Sequence, residues 1–162
     1  MDQALRVRGD VRLQEVLALN IDGTLNEIMR DRRTAKVRIK ASTGEVMETL
    51  ALFGVANPSW RIPQDVTLDG YVEYSPQRMS TDTRIVTPRG VLTAEGFFSP
   101  RSKAYSANVT IADMDMRQFL PRDTIGLVRA HLVAEGRGTD VFSPSTVANV
   151  YFIIDSLEYM PV

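Results

Sequence analysis

The strongest constraint on the fold is a two-residue alternation of apolar and polar side chains along most of the chain. Between Leu5 and Leu13, every second residue is apolar or glycine, and the residues between them are arginine or aspartate. Similar alternation recurs at 17–25, 35–41, 66–74, 92–98, 105–111, 128–134 and 152–156. Successive side chains of a β-strand point to opposite faces, so these runs predict strands with one dry and one wet face. Antiparallel sheets permit that arrangement, whereas parallel sheets bury both faces.

Turn-forming residues separate the alternating runs. They occur at 88–90, 99–102 and 136–138, where proline, glycine and serine are concentrated. Short strands joined by such turns predict a meander. Glycines recur inside the predicted strands, at Gly9, Gly23, Gly70, Gly96 and Gly136. Glycine within a strand marks a bend or a close approach of neighbours, so we expect an all-β chain whose antiparallel sheet curves.

Two segments depart from the strand pattern and predict short helices. Val46, Met47, Leu50 and Phe53 have helical spacing, and Gly54 is suited to end the helix, although a strand is an alternative there. The segment 113–121 is typical of one helical turn near Met116 to Leu120. Asp115 can cap that turn, and Pro121 can end it.

Size and composition restrict the class of protein. The 162 residues suffice for one domain, and 44% of them are hydrophobic against 24% charged. A net charge of -1 argues against a nucleic-acid partner, and the absence of cysteine excludes disulfides and thiolate metal sites. Neither a signal peptide nor a membrane-spanning apolar stretch is visible. These absences fit either a cytoplasmic protein or a segment of a longer chain, and we favour the interpretation of residues 1–162 as a single β-rich segment of a longer protein.

No residue pattern predicts catalysis, a metal or a cofactor. His131 is the only histidine and falls on the polar side of its predicted strand, where we expect it to be solvated. Asp113 and Asp115 suit a helix cap better than a calcium site. The cluster Arg30–Arg33 is typical of a solvated turn, and Trp60 is expected to pack its loop against the sheet. We therefore expect no enzyme activity.

Three blocks in the C-terminal part of the chain resemble the AsmA-like/TamB family of translocation and assembly modules. They are Phe119–Gly126, Gly136–Thr146 and Ile154–Tyr159, and Ile62–Pro63 leads into a glycine-centred strand in a similar way. The resemblance covers most of residues 5–160. The family's N-terminal membrane anchor and the domain that meets the outer membrane have no counterpart in it.

The resemblance implies a fold and a function. Members of the family are long periplasmic proteins that are anchored in the inner membrane of the Gram-negative envelope. Their sheets curl into an open trough with an apolar interior, and they are implicated in moving phospholipid between the two membranes and in assembling outer-membrane proteins. For this chain, the resemblance implies a curved antiparallel meander sheet that forms an open apolar trough and holds phospholipid acyl chains.

The apolar positions of the predicted strands are the candidates for lining the trough. The leading ones are Leu68, Val72, Leu92, Ala94, Val109, Ile111, Leu132 and Ala134. Their polar neighbours are expected to face water, namely Asp69, Glu73, Glu95, Asn108 and Glu135. The same alternation would also arise if these apolar residues packed under a helix or a second sheet as a closed core.

A second hypothesis is a scaffold that assists outer-membrane protein assembly or secretion by pairing β-strands at an open edge. An enzyme that acts on polysaccharide is the weakest alternative, because paired catalytic carboxylates at a cleft cannot be assigned, and a surface adhesin is a further option. A continuous apolar lining would favour lipid, and a polar trough with a free edge would favour strand pairing. Open edges and an uncovered apolar face also predict either self-association of the segment or a terminal strand folded over the groove.

Overall fold

The computed structural model describes residues 4–27, 32–55, 59–121, 124–139 and 143–159. These residues form one nine-stranded sheet in which every strand pairs antiparallel with its neighbour in sequence. The strands are β1 (Ala4–Leu13), β2 (Leu17–Asn26), β3 (Thr34–Thr43), β4 (Thr67–Tyr74), β5 (Met79–Thr87), β6 (Gly90–Ser99), β7 (Ala104–Asp115), β8 (Ile125–Arg137) and β9 (Val147–Tyr159). The predicted all-β meander is confirmed, and the sheet is open, with β1 and β9 as its edges.

One face of the sheet, here called the apolar face, carries the apolar member of almost every alternating pair. Residues paired across neighbouring antiparallel strands share a face, so the register identifies this set. One row crosses from β4 to β9 and consists of Leu68, Ile85, Leu92, Ile111, Ala130 and Ile154. The same row continues from Leu68 to the other edge of the sheet through Ala41, Leu19 and Val11. The apolar face is therefore continuous from one edge of the sheet to the other.

The opposite face, the polar face, is bridged by ion pairs between neighbouring strands. They are Arg6–Asp22 at 2.9 Å, Lys36–Glu73 at 2.9 Å and Arg38–Asp69 at 2.6 Å. The arginines lower the pKa of Asp22 and of Asp69, chiefly through hydrogen bonds from their guanidinium groups. All these side chains are well exposed, so each pair contributes little to the free energy of folding. Their main effect is to keep this face solvated.

No second layer covers the apolar face in the described part of the chain. Only two hydrophobic residues there are buried, Met114 at 5% exposure and Ala130 at 2%. Most hydrophobic residues of the central strands are half-buried, and those of the edge strands are exposed. A closed core of this size would bury many large side chains almost completely. The closed-core alternative is therefore wrong for the described residues, and the sheet is a single open layer.

The two predicted helices are present and are short. The helix α1 spans Val46–Leu52, and a 3-10 helix spans Met116–Gln118. Gly54 follows α1 with a φ of 87°, a left-handed conformation that glycine adopts without steric cost, and its N–H donates to the Ala51 carbonyl. Asp115 caps the 3-10 helix by accepting a hydrogen bond of 3.1 Å from the Arg117 N–H, as predicted.

A polar cluster around Asp115 ties several segments together at one end of the sheet. The Asp115 carboxylate is 2.9 Å from Arg89 of the β5–β6 turn and 2.8 Å from Arg117. Gln118 donates to the Arg89 carbonyl at 3.0 Å, and Arg61 donates to the Gln118 carbonyl at 2.8 Å. A β-bulge between Ile111 and Met114 precedes this cluster in β7. The contacts fix the long α1–β4 connection to the end of the sheet.

Candidate functional site

The structure brings all the predicted lining residues onto the apolar face. Leu92 lies between Ile85 and Ile111, and Ile85 pairs with Leu68 on its other side. The next row joins Ala94, Val109 and Leu132. Val72 and Ala134 belong to a third row, which passes from Val72 through Thr81, Gly96 and Ala107 to Ala134. The predicted polar neighbours Asp69, Glu73, Glu95, Asn108 and Glu135 all lie on the polar face.

The apolar face extends well beyond the residues predicted from the sequence. Val37 and Ile39 of β3 pair with Val72 and Gly70, which carries the face towards β1. At the other end, β9 contributes Val150, Phe152 and Ile154 opposite β8. The alternation in β3 and β9 was visible in the sequence, so these residues could have been included. The candidate site is therefore the whole apolar face and not a single pocket on it.

Two glycines allow close packing on this face. A Cβ atom on Gly96 would lie 2.6 Å from the Ser106 carbonyl oxygen of the neighbouring strand. At Gly136 it would lie 2.6 Å from the Tyr105 hydroxyl, so the Tyr105 ring covers this glycine. Any larger residue at either position would push the neighbouring strand or ring away. These glycines therefore keep β6 to β8 close together where the predicted lining residues are most concentrated.

Several shallow hollows lie on the polar face. One of about 500 Å³ extends over β1 to β5, and Asn20, Lys40 and Arg84 contribute to its lining. Another of about 470 Å³ lies between Arg38, Asp82 and their neighbours. The trough expected from the resemblance has its concave surface on the apolar side, whereas these hollows lie on the polar face. The apolar face offers open area to a ligand.

The two edge strands differ in charge. Nearly every residue of β1 is exposed, and its polar side carries Arg6, Arg8, Asp10 and Arg12. Every residue of β9 is exposed too, but residues 147–154 contain no charged side chain. Charges on an edge strand discourage other strands from pairing with it. The β1 edge is therefore protected, and the β9 edge is open to a further strand.

His131 and Asp113, two titratable residues singled out in the sequence, make contacts with neighbouring strands. His131 lies on the polar face, as predicted, where it is half-buried and its Nδ1 is 3.0 Å from the Thr110 hydroxyl. Asp113 pairs with Arg129. Within the described ranges, no group of three metal-ligating side chains occurs, and no helix has the length and apolarity needed to cross a membrane.

Some of the residues singled out in the sequence lie outside the described ranges, namely Arg30, Asp31, Arg122, Asp123 and Asp140–Phe142. The block Gly136–Thr146 is described in part, and its first two residues end β8. There Gly138 has a φ of 96°, and its N–H donates to the Lys103 carbonyl at 2.9 Å. Comparisons with protein-family models, with curated proteins and with solved structures found no match.

Proposed function

We propose that the apolar face holds the acyl chains of phospholipids, and that the chain is a non-enzymatic segment of a periplasmic AsmA/TamB-like protein that conducts lipid between the inner and outer membranes. One observation carries the proposal: apolar residues continue across all nine strands with no layer above them in the described residues. An uncovered apolar surface of this extent marks a site for an apolar partner.

The chemistry of an acyl chain suits this surface. A hydrocarbon tail needs no hydrogen bonds, and burial of each methylene contributes about 0.8 kcal/mol. The 10 residues of β6 span roughly 34 Å along the strand, enough to lie along an extended tail. Rows of similar side chains would hold a tail through many weak contacts without fixing its position. Such contacts allow a lipid to move from strand to strand, as transport requires.

The direct test is native mass spectrometry of the protein after expression in Gram-negative cells and purification without detergent. We expect ions that carry one or more phospholipid masses, because the uncovered apolar face would be filled during purification. A protein that is free of lipid, and that takes up none when mixed with phospholipid vesicles, would contradict the proposal.

A second candidate function, strand pairing, is supported by the uncharged edge of β9. Its unpaired backbone N–H and C=O groups can accept another strand, and its side chains are apolar on both faces around Tyr151 to Ile154. In this role the segment would assist the assembly or secretion of outer-membrane proteins. The same edge would support the self-association expected from the sequence.

Replacing Val150 with lysine should block pairing at the β9 edge. Lysine on an edge strand resists addition of another strand, so self-association measured by light scattering should weaken about tenfold. Val11→Lys on β1 is the matched control, since Val11 is also an exposed apolar residue of an edge strand. Equal weakening by both variants, or by neither, would exclude β9 as the pairing edge.

A further inference from the structure

A polar pocket lies at the end of the sheet that carries the β5–β6 turn. Its volume is about 470 Å³, and it is formed by α1, the connection that precedes β4, the β5–β6 turn and the 3-10 helix. It is called the end pocket below. Five charged side chains of both signs line it, namely Glu48, Arg61, Asp65, Arg89 and Arg117.

The end pocket borders the apolar face. Thr43 and Thr87 are the last residues of β3 and β5, and the strand register places both on the apolar face. The Thr43 hydroxyl donates to the Pro63 carbonyl at 2.8 Å, and the Arg89 N–H donates to the Thr87 hydroxyl at 3.3 Å. Pro63 and Arg89 both line the end pocket. Because Thr87 lies only about 7 Å along the strand from Ile85, a ligand on the apolar face can reach the pocket.

Two arginines give the end pocket hydrogen-bond donors for an anion. The Arg61 guanidinium donates to the carbonyls of Gln118 at 2.8 Å and of Arg117 at 3.4 Å. No carboxylate in the described part of the chain forms an ion pair with Arg61. Arg89 contacts Asp115 through Nη1 at 2.9 Å, and its side chain is still 68% exposed. The parallel N–H groups of a guanidinium match the oxygens of a phosphate, so these arginines suit a phosphate group.

Two carboxylates in the same pocket suit a cation. Glu48 and Asp65 form no ion pair with any described residue, and the one printed side-chain contact of Glu48 is a weak hydrogen bond of 3.4 Å from Gln64. Gln118 also lines the pocket and is 5% exposed, and its buried Oε1 has no donor among the described residues. An ammonium group supplies N–H donors to carboxylates and to amide oxygens. A ligand with only negative charge would instead be repelled by Glu48 and Asp65.

We propose that the end pocket binds the zwitterionic phosphodiester headgroup of phosphatidylethanolamine while the acyl chains of the same lipid lie on the apolar face. The proposal rests on the proposed function and names the class of lipid that the segment prefers. Arg61 and Arg89 contact the phosphate, and Glu48 and Asp65 contact the ammonium group. Phosphatidylglycerol has the phosphate but no ammonium group, so it leaves both carboxylates without a partner.

The test is competition between lipids with identical acyl chains, measured on the full chain by native mass spectrometry. Phosphatidylethanolamine, phosphatidylglycerol and diacylglycerol are supplied in equal amounts. We expect bound phosphatidylethanolamine to exceed each of the others about tenfold, because only its headgroup pairs with both the arginines and the carboxylates.

The double variant Glu48→Gln, Asp65→Asn should reduce the preference over phosphatidylglycerol to about twofold or less, since amides do not form ion pairs with an ammonium group. The fold should persist, because neither carboxylate forms an ion pair among the described residues and asparagine tolerates the Asp65 φ of 59°. The matched control is Asp82→Asn, Glu135→Gln. It removes two exposed carboxylates from the polar face, outside the end pocket, and should keep the tenfold preference.

Several results would overturn the proposal. Equal binding of the three lipids would show that the end pocket does not recognise the headgroup, although the proposed function would stand. A preference that the end-pocket variant retains, or that the control also loses, would place its cause outside the end pocket. Failure to bind any of the three lipids would instead refute the proposed function itself.

A soluble ligand distinguishes the lipid from a free phosphodiester of the same chemistry. Glycerophosphoethanolamine has the headgroup without acyl chains, and in titration calorimetry it should bind at least about a hundredfold more weakly than phosphatidylethanolamine. Comparable affinities would overturn the assignment to a lipid, because the acyl chains would then contribute nothing to binding.

Discussion

Replacing Leu92 with aspartate should leave the sheet folded while removing most of the phospholipid that co-purifies with it. Leu92 lies in the middle of the apolar face between Ile85 and Ile111, and it is half-buried with no layer above it. A carboxylate there stays in contact with water, so the large cost of an unpaired buried charge does not apply. An acyl chain over that position would lose the leucine contact, worth about 1.5–3 kcal/mol, and would have to cover a charge.

The expected loss of bound lipid is therefore about tenfold or more, measured by native mass spectrometry, with an unchanged far-ultraviolet circular dichroism spectrum. Thr93→Asp is the matched control, because Thr93 is the next residue of the same strand and pairs on the polar face with Arg84 and Thr110. That variant should retain its lipid. An unfolded Leu92→Asp protein would mean that the apolar face is covered, and a folded variant with normal lipid content would refute the assignment of Leu92 to the lipid site.

The alternation of side chains predicted most of the sheet but missed one strand. In β5 the apolar face is occupied by Met79, Thr81, Thr83, Ile85 and Thr87. Threonine is common in strands because its branched side chain fits a pleated surface, yet it is polar on a hydropathy scale. Three threonines on the apolar side therefore hid the two-residue period. The neighbouring strands β4 and β6 could be predicted from the alternation, but β5, which lies between them, could not.

Whether the apolar face is open or covered could not be derived from the alternation. A strand such as β6 has the same alternation of side chains whether its apolar face packs against a second sheet or is open to solvent, because the alternation shows only which face is apolar. The lack of large buried side chains in the described residues is what distinguishes the two cases. By contrast, the difference between the two edges was visible in the sequence, since β1 is rich in arginine and residues 147–154 carry no charge.

The contacts around Asp115 were also only partly predictable. Its role as a cap follows from a local pattern of residue types, and that part is confirmed. Its ion pair with Arg89 joins the β5–β6 turn to the end of β7, and the register of two further strand pairs decides whether those groups meet. Local sequence gives no signal for such a contact. The half-buried position of His131 beside Thr110 has the same origin.

Replacing Asp115 with asparagine should destabilise the fold and remove part of its sensitivity to acid. The pKa of Asp115 is lowered from its ordinary value of 3.8 to about 2. The main cause is hydrogen bonding from the Arg117 side chain, and hydrogen bonds from Arg89 and from the Arg117 backbone N–H add to it, whereas burial opposes the shift. A carboxyl group whose pKa is lower in the folded protein stabilises the fold while it is ionised. The shift corresponds to about 2 kcal/mol at neutral pH.

The sign of the shift sets the pH range of the effect. The contribution of Asp115 is complete above about pH 4 and is lost as the pH falls towards 2. The urea concentration at which half of the wild-type protein is unfolded should therefore fall as the pH is lowered over that range. For Asp115→Asn this concentration should be lower at neutral pH and should fall less.

Asp22→Asn is the control, because the pKa of Asp22 is also lowered by an arginine, yet its side chain is 39% exposed. Solvent screens that pair, so the midpoint at neutral pH should barely change. Equal destabilisation by the two variants would show that burial of Asp115 adds nothing to its ion pairs.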